Sequence, residues 1–172
     1  MKKKKPVHGL LQESEKNFLL RFFALFAVLY LILHAADAFP PTSYASAVLK
    51  GGIASFETGA LQLIGIDAVL EGNRIVVDGQ AFLIVVECTG LFMIMLLAVL
   101  LYTTPVRKER RKRALLFYSP LLFGFNLLRV LFTLVVGVRL GASALEVTHF
   151  SLWFADLGLV LFLWTRAAEI RI

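Results

Sequence analysis

Long apolar runs separated by basic clusters limit what this chain can fold into. Four segments, about 17–39, 89–104, 114–138 and 144–166, are apolar enough to cross a bilayer, whose hydrocarbon core takes ~20 helical residues with allowance for tilt. A hydrophobic share of 59% over 172 residues, with 15 phenylalanines, exceeds the ~45–50% of a soluble domain. The chain therefore reads as an all-α polytopic membrane protein, one integral domain over 1–172. The first run is longer than the apolar core of a secretion signal and follows charged residues, so it reads as an uncleaved first helix.

The basic residues cluster in three places: the start (1–16), the loop RKERRKR (107–113) and the closing RAAEIRI. Beside spanning segments such clusters mark cytoplasmic helix ends, so the expected partner is the lipid bilayer and not nucleic acid. A fifth stretch, 43–66, carries Lys50, Gly51, Gly52 and Glu57, with Ile53, Phe56, Ala60 and Ile64 on one helical face. That pattern suits an interfacial helix. Were it to cross, the basic start and the basic loop would lie on opposite sides. Four transmembrane helices place both on the cytoplasmic side, with both termini inside.

Residues 40–88 are then extracytoplasmic. Within them the turn signals Gly72-Asn73 and Asp78-Gly79 precede two β-branched runs, Ile75–Val77 and Phe82–Val86. These predict a small β-hairpin before the second span.

Cys88 is the only cysteine, so no intramolecular disulfide can form. It would stand at the outer start of the second span, before Thr89 and Gly90, where a helix N-terminus favours the thiolate. The plainer alternative is a small buried hydrophobe. Arg129 shares a helical stripe with Asn126 and Thr133. An arginine inside a span costs about 2.5–3.5 kcal/mol on insertion scales and faces a protein interior or a wet cavity. Its plainer role is a structural pair with Asp156.

His149 follows Ser143 and Glu146, which have the spacing of a capping box opening the last helix. His149, Trp153 and Asp156 share one face, and antiparallel packing through a short 139–142 connection lays it near Asn126 and Arg129. The alternative is a helix-end histidine bonded to water or a carbonyl. His8 and His34 have no evident role, no metal-ligand cluster emerges, and no cofactor is expected. Topology thus brings Cys88, Arg129 and His149 toward one leaflet. A thiol, a guanidinium and an imidazole are the parts of a cysteine acyl-transfer site.

These residues resemble those of the exosortase/archaeosortase family of membrane-embedded transpeptidase-like proteins. Glu87-Cys88-Thr89-Gly90 is similar to the family's A-C-S-G motif, with Thr89 in place of serine. Asn126-Leu127-Leu128-Arg129-Val130 resembles N-x-x-R-[IV], and His149 corresponds to the third element. The likeness spans about 60–166, and the histidine points to a compact bacterial member of exosortase H type. It implies a cysteine peptidase or transpeptidase in the bacterial inner membrane. The partners it implies are the C-terminal sorting-signal helix of a secreted protein and an amine-bearing acceptor, or water. By the resemblance, catalysis would fall to Cys88, Arg129 and His149. Apart from it, Asp156 and Asn126, with Glu87, are candidates to orient His149 and Arg129 on the general ground that such groups need hydrogen-bonded support.

Two other classes compete. In a non-catalytic assembly or scaffold protein, Arg129, Asp156 and Asn126 would join the last two helices. A transporter subunit would use Arg129 and Asp156 along a path, but no inverted repeat is visible. A thiol redox role lacks a resolving cysteine.

Overall fold

A computed structural model describes residues 7–38 and 40–169, with side chains from 16–35 and 43–169. The lysine-rich stretch 1–6 and the tail 170–172, two of the basic segments named above, lie outside the described residues in whole or in part. The elements run α1 (Val7–Ala38), α2 (Pro40–Leu63), β1 (Ala68–Glu71), β2 (Arg74–Val77), β3 (Gln80–Leu83), a 3-10 turn (Val86–Thr89), α3 (Leu91–Thr103), α4 (Lys108–Leu140) and α5 (Ala142–Ala168).

Among the described residues, three helices are long and apolar enough to cross a membrane: Lys16–Ala35 within α1, α4 and α5. Their bulky residues look outward, among them Leu20, Phe23, Leu128, Phe132, Phe150 and Phe154, as expected where lipid is the solvent. The second expected span, α3, is a shorter apolar helix of 13 residues. At 1.5 Å per residue it reaches only about 20 Å. Helix α4 runs unbroken through Pro120.

The helices pack around two apolar clusters. Met93, Leu97, Leu101, Leu122 and Val160 gather α3, α4 and α5, with Phe22 of α1 against them. Ile53, Leu61, Ile75, Ile84, Cys88 and Val130 join α2, the sheet and the 3-10 turn to the far half of α4. One end of the bundle is basic: Arg107, Arg110, Arg113 and Glu169 line a shared cleft, and Arg110 is paired with Glu169. The sheet lies at the other end. A one-residue link, Gly141 at φ +89, reverses α4 into α5. A Cβ on Gly137 would come within 2.4 Å of Leu145, so the reversal depends on a bare glycine surface.

The extramembrane insert differs from the expected hairpin. It is a three-stranded antiparallel meander, β1-β2-β3, with Ala68 opposite Val77 and Val77 opposite Gln80. Strand β1 escaped sequence reading because Ala-Val-Leu-Glu holds a single β-branched residue. The Asp78-Gly79 turn was read correctly: φ of +48 and +77 gives the two left-handed positions of a type I′ hairpin turn. Strand β3 stops at Leu83, and Val86 belongs to the 3-10 turn. Asn73 ends the ladder there. Its carbonyl accepts from Ile84 N–H at 2.9 Å and its amide donates to Ile84 O at 3.1 Å, directing the chain inward.

The amphipathic face read for α2 is also different. Ile53, Ala54, Glu57, Thr58 and Leu61 are buried, whereas Phe56 and Ile64 are exposed.

Candidate active site

Cys88 sits inside the 3-10 turn and not at the first residue of a spanning helix. The turn is closed by Cys88 N–H donating to Val85 O at 3.0 Å and by the buried Thr89 hydroxyl donating to Val86 O at 2.6 Å. Gly90, at φ +76, then redirects the backbone into α3. A side chain there would be strained, and its Cβ would lie 3.1 Å from Asn126 Cβ. The Thr-Gly pair after the cysteine thus has a physical reason: one residue seals the turn, and the other lets α4 approach it. Burial pushes the Cys88 thiol up from its ordinary range, opposed by a backbone hydrogen bond at Val85 and by the Arg129 charge, and reinforced by Glu87 and Glu57. The helix N-terminus position expected from the sequence is not the one Cys88 takes, because the 3-10 turn places it ahead of Gly90 and α3.

From that turn a polar chain runs across α4 to α5. Asn126 Nδ2 donates to Cys88 O at 2.7 Å, and its Oδ1 accepts from Arg129 Nη2 at 3.0 Å. Arg129 Nη1 lies 2.9 Å from Asp156 Oδ2. Arg129 is 4% exposed, so this is a desolvated ion pair, steadied on its arginine side by the Asn126 amide. Among the described residues, Arg129 Nε and Asp156 Oδ1 are buried without a hydrogen-bond partner.

His149 stands one turn above Trp153, whose indole N–H donates to His149 Nε2 at 3.2 Å. In the neutral ring that leaves the proton on Nδ1 and the lone pair on Nε2. The capping box expected at Ser143 is not formed: α5 starts at Ala142, with Gly141 as its N-cap and no side-chain cap bond. The one-residue reversal occupies the positions such a cap needs.

Cys88 and His149 line one cavity of about 330 Å³, together with Ile84, Val130, Thr133 and Leu145. Asn126, Arg129 and Asp156 line an adjacent apolar cavity of about 300 Å³, with Glu87, Phe92 and Trp153 at its walls. The predicted residues thus fall into two neighbouring cavities separated by the Asn126–Arg129 link. Sequence reasoning missed His34, whose Nε2 lies 3.0 Å from Glu87 Oε1 while its ring packs at a tilt against Tyr30. No local pattern could have found it, because its partner is 53 residues away.

Apolar helices packed around these polar groups define a polytopic membrane protein. A family model described as transmembrane exosortase matches residues 17–167, and the chain belongs to that family. Its members are membrane cysteine transpeptidases that act in protein sorting. No curated protein and no solved structure matches this chain.

Proposed function

We propose that this exosortase cleaves C-terminal sorting signals at the extracytoplasmic face, with Cys88 as nucleophile, His149 as acid and base, and Arg129 as the stabilising cation. The observation that carries the reading is that Cys88 and His149 line one cavity while Asn126 ties Arg129 to the cysteine turn. The basic end of the bundle is then cytoplasmic and the sheet end outside, with α3 as a short fourth crossing.

In the reaction the Trp153 indole N–H releases His149 Nε2, and the Cys88 sulfur bonds to the scissile carbonyl carbon as its proton passes to the freed lone pair. Arg129 offers positive charge to the thiolate and to the developing oxyanion. Collapse breaks the amide C–N bond, and His149 returns the proton to the leaving amine, giving a thioester on Cys88. An amine acceptor or water then attacks. The S–C bond breaks, and the proton of the attacking group returns to the thiol through His149. A substrate helix anchored by its basic end in the cytoplasm would present its motif at the depth of Cys88.

The test is processing of a sorting-signal reporter in cells, joined to labelling of Cys88 by a membrane-impermeant thiol reagent. Cys88→Ala should abolish processing, His149→Ala should lower it, and the thiol should react from outside. The Arg129–Asp156 pair also fits a scaffold role. That reading expects Cys88→Ala to process normally, an outcome that would remove the peptidase assignment.

A further inference from the structure

We propose that Glu57 is a positioning residue for Cys88: a buried carboxyl whose proton governs how readily the neighbouring thiol ionises. The inference rests on the reading of Cys88 as the nucleophile. Glu57 lies on the buried face of α2 with Ile53, Ala54 and Leu61, which share their apolar cluster with Cys88, Ile84 and Val130. It is 0% exposed, and among the described residues neither carboxylate oxygen has a hydrogen-bond partner. Proteins rarely leave a buried carboxyl unbonded, because each unmet oxygen forfeits its hydration. Leucine or glutamine would fill the same space at smaller cost. None of the pairs described above uses Glu57.

Electrostatics links the two groups. Burial alone pushes the Glu57 carboxyl up to about 7, so it exchanges its proton near neutrality. In its charged form it acts on Cys88 and raises the thiol, as Glu87 does, against the pull of Arg129. The other charged groups around α2 are placed elsewhere. His34 on α1 pairs with Glu87, Arg129 on α4 pairs with Asp156, and Asp67, Glu71, Arg74 and Asp78 around the strands are exposed. Lys50, on α2 itself, is half-buried two turns before Glu57. With Glu57 protonated, Arg129 dominates the field at the sulfur. With Glu57 ionised, the carboxylate opposes the thiolate, and two buried groups share one titration.

The experiment is the rate of Cys88 alkylation by iodoacetamide against pH, on the full chain in lipid nanodiscs. Wild type should give a broadened curve with an inflection near 7. Glu57→Gln should give a single-site curve displaced to lower pH, with alkylation several-fold faster at pH 8. A Glu57→Gln curve that superimposes on wild type overturns the proposal. Should Glu57→Gln fail to fold, His149→Ala decides: a broadened curve that persists without the imidazole supports the linkage, and a single-site curve removes it. Alkylation needs no substrate, so its outcome is separate from that of the Cys88→Ala processing test.

Discussion

Asn126 spans the gap between Cys88 and Arg129, donating to the carbonyl of the first at 2.7 Å and accepting from the guanidinium of the second at 3.0 Å. Among the described residues it is the one side chain bonded to both. Asn126→Leu leaves the Cys88 carbonyl and one Arg129 N–H unmet in a buried setting, at about 1–3 kcal/mol per group. Processing should fall by roughly ten- to a hundredfold with the chain still inserted, because RT ln 10 is about 1.4 kcal/mol. Single-turnover cleavage of a purified sorting-signal peptide would measure it. Activity equal to wild type would show that the bridge is dispensable.

Gly90 offers a test of the cysteine turn that touches no reactive group. Gly90→Ala forces a side chain into a left-handed position, costing about 1–2 kcal/mol, and presses its Cβ against Asn126. A lowered melting temperature in detergent and slower processing should appear together. Gly124→Ala, where a Cβ meets nothing within 4 Å in mid-helix, should be neutral or slightly stabilising.

The Arg129–Asp156 pair separates stability from chemistry. Asp156→Ala leaves a buried guanidinium without its counter-charge, a loss on the order of 3–5 kcal/mol. The double replacement Arg129→Met with Asp156→Leu should recover most of that stability, because a buried pair is readily replaced by apolar packing. It should recover none of the processing. Thermal unfolding and peptide cleavage, read side by side on the three chains, would show whether the pair is catalytic or only joins helices.

Glu57 predicts a pH dependence of stability. Its carboxyl ordinarily titrates at 4.5 and is held up to about 7 in the fold, so the folded chain keeps a proton that the unfolded chain releases. Stability should therefore fall as pH rises from 4.5 and level off above about 7, by roughly 3 kcal/mol in total at 1.36 kcal/mol per pH unit. Glu57→Gln should flatten that slope. Its melting temperature should exceed that of wild type by a margin that widens between pH 5 and pH 8.

The sequence made the long elements legible because lipid imposes a simple length and polarity rule on them. The α4–α5 pairing, with Arg129 opposite Asp156, followed from helical spacing and a short connection. The inner face of α2 did not. In water, large apolar residues mark the packed side. Here Phe56 and Ile64 are exposed while Glu57 and Thr58 are buried, reversing that rule. The His34–Glu87 contact and the Gly90–Asn126 approach were hidden for another reason: both join segments remote in sequence, and no periodicity reports them. The placement of Cys88 in its own turn depended on one left-handed glycine, which the motif contained but did not explain.

The short connection from Thr104 to Arg107 divides the chain into two sets of whole helices. Before it lie the thiol, Glu57 and Glu87; after it lie Asn126, Arg129, His149 and Asp156. Neither portion holds the whole of the proposed site, and the two meet through packing, the Asn126 bridge, the Trp164–Thr104 hydrogen bond and Arg111 over the Tyr102 ring. Two separately made polypeptides, cut within that connection and inserted into one bilayer, would thus rebuild by association what neither carries alone.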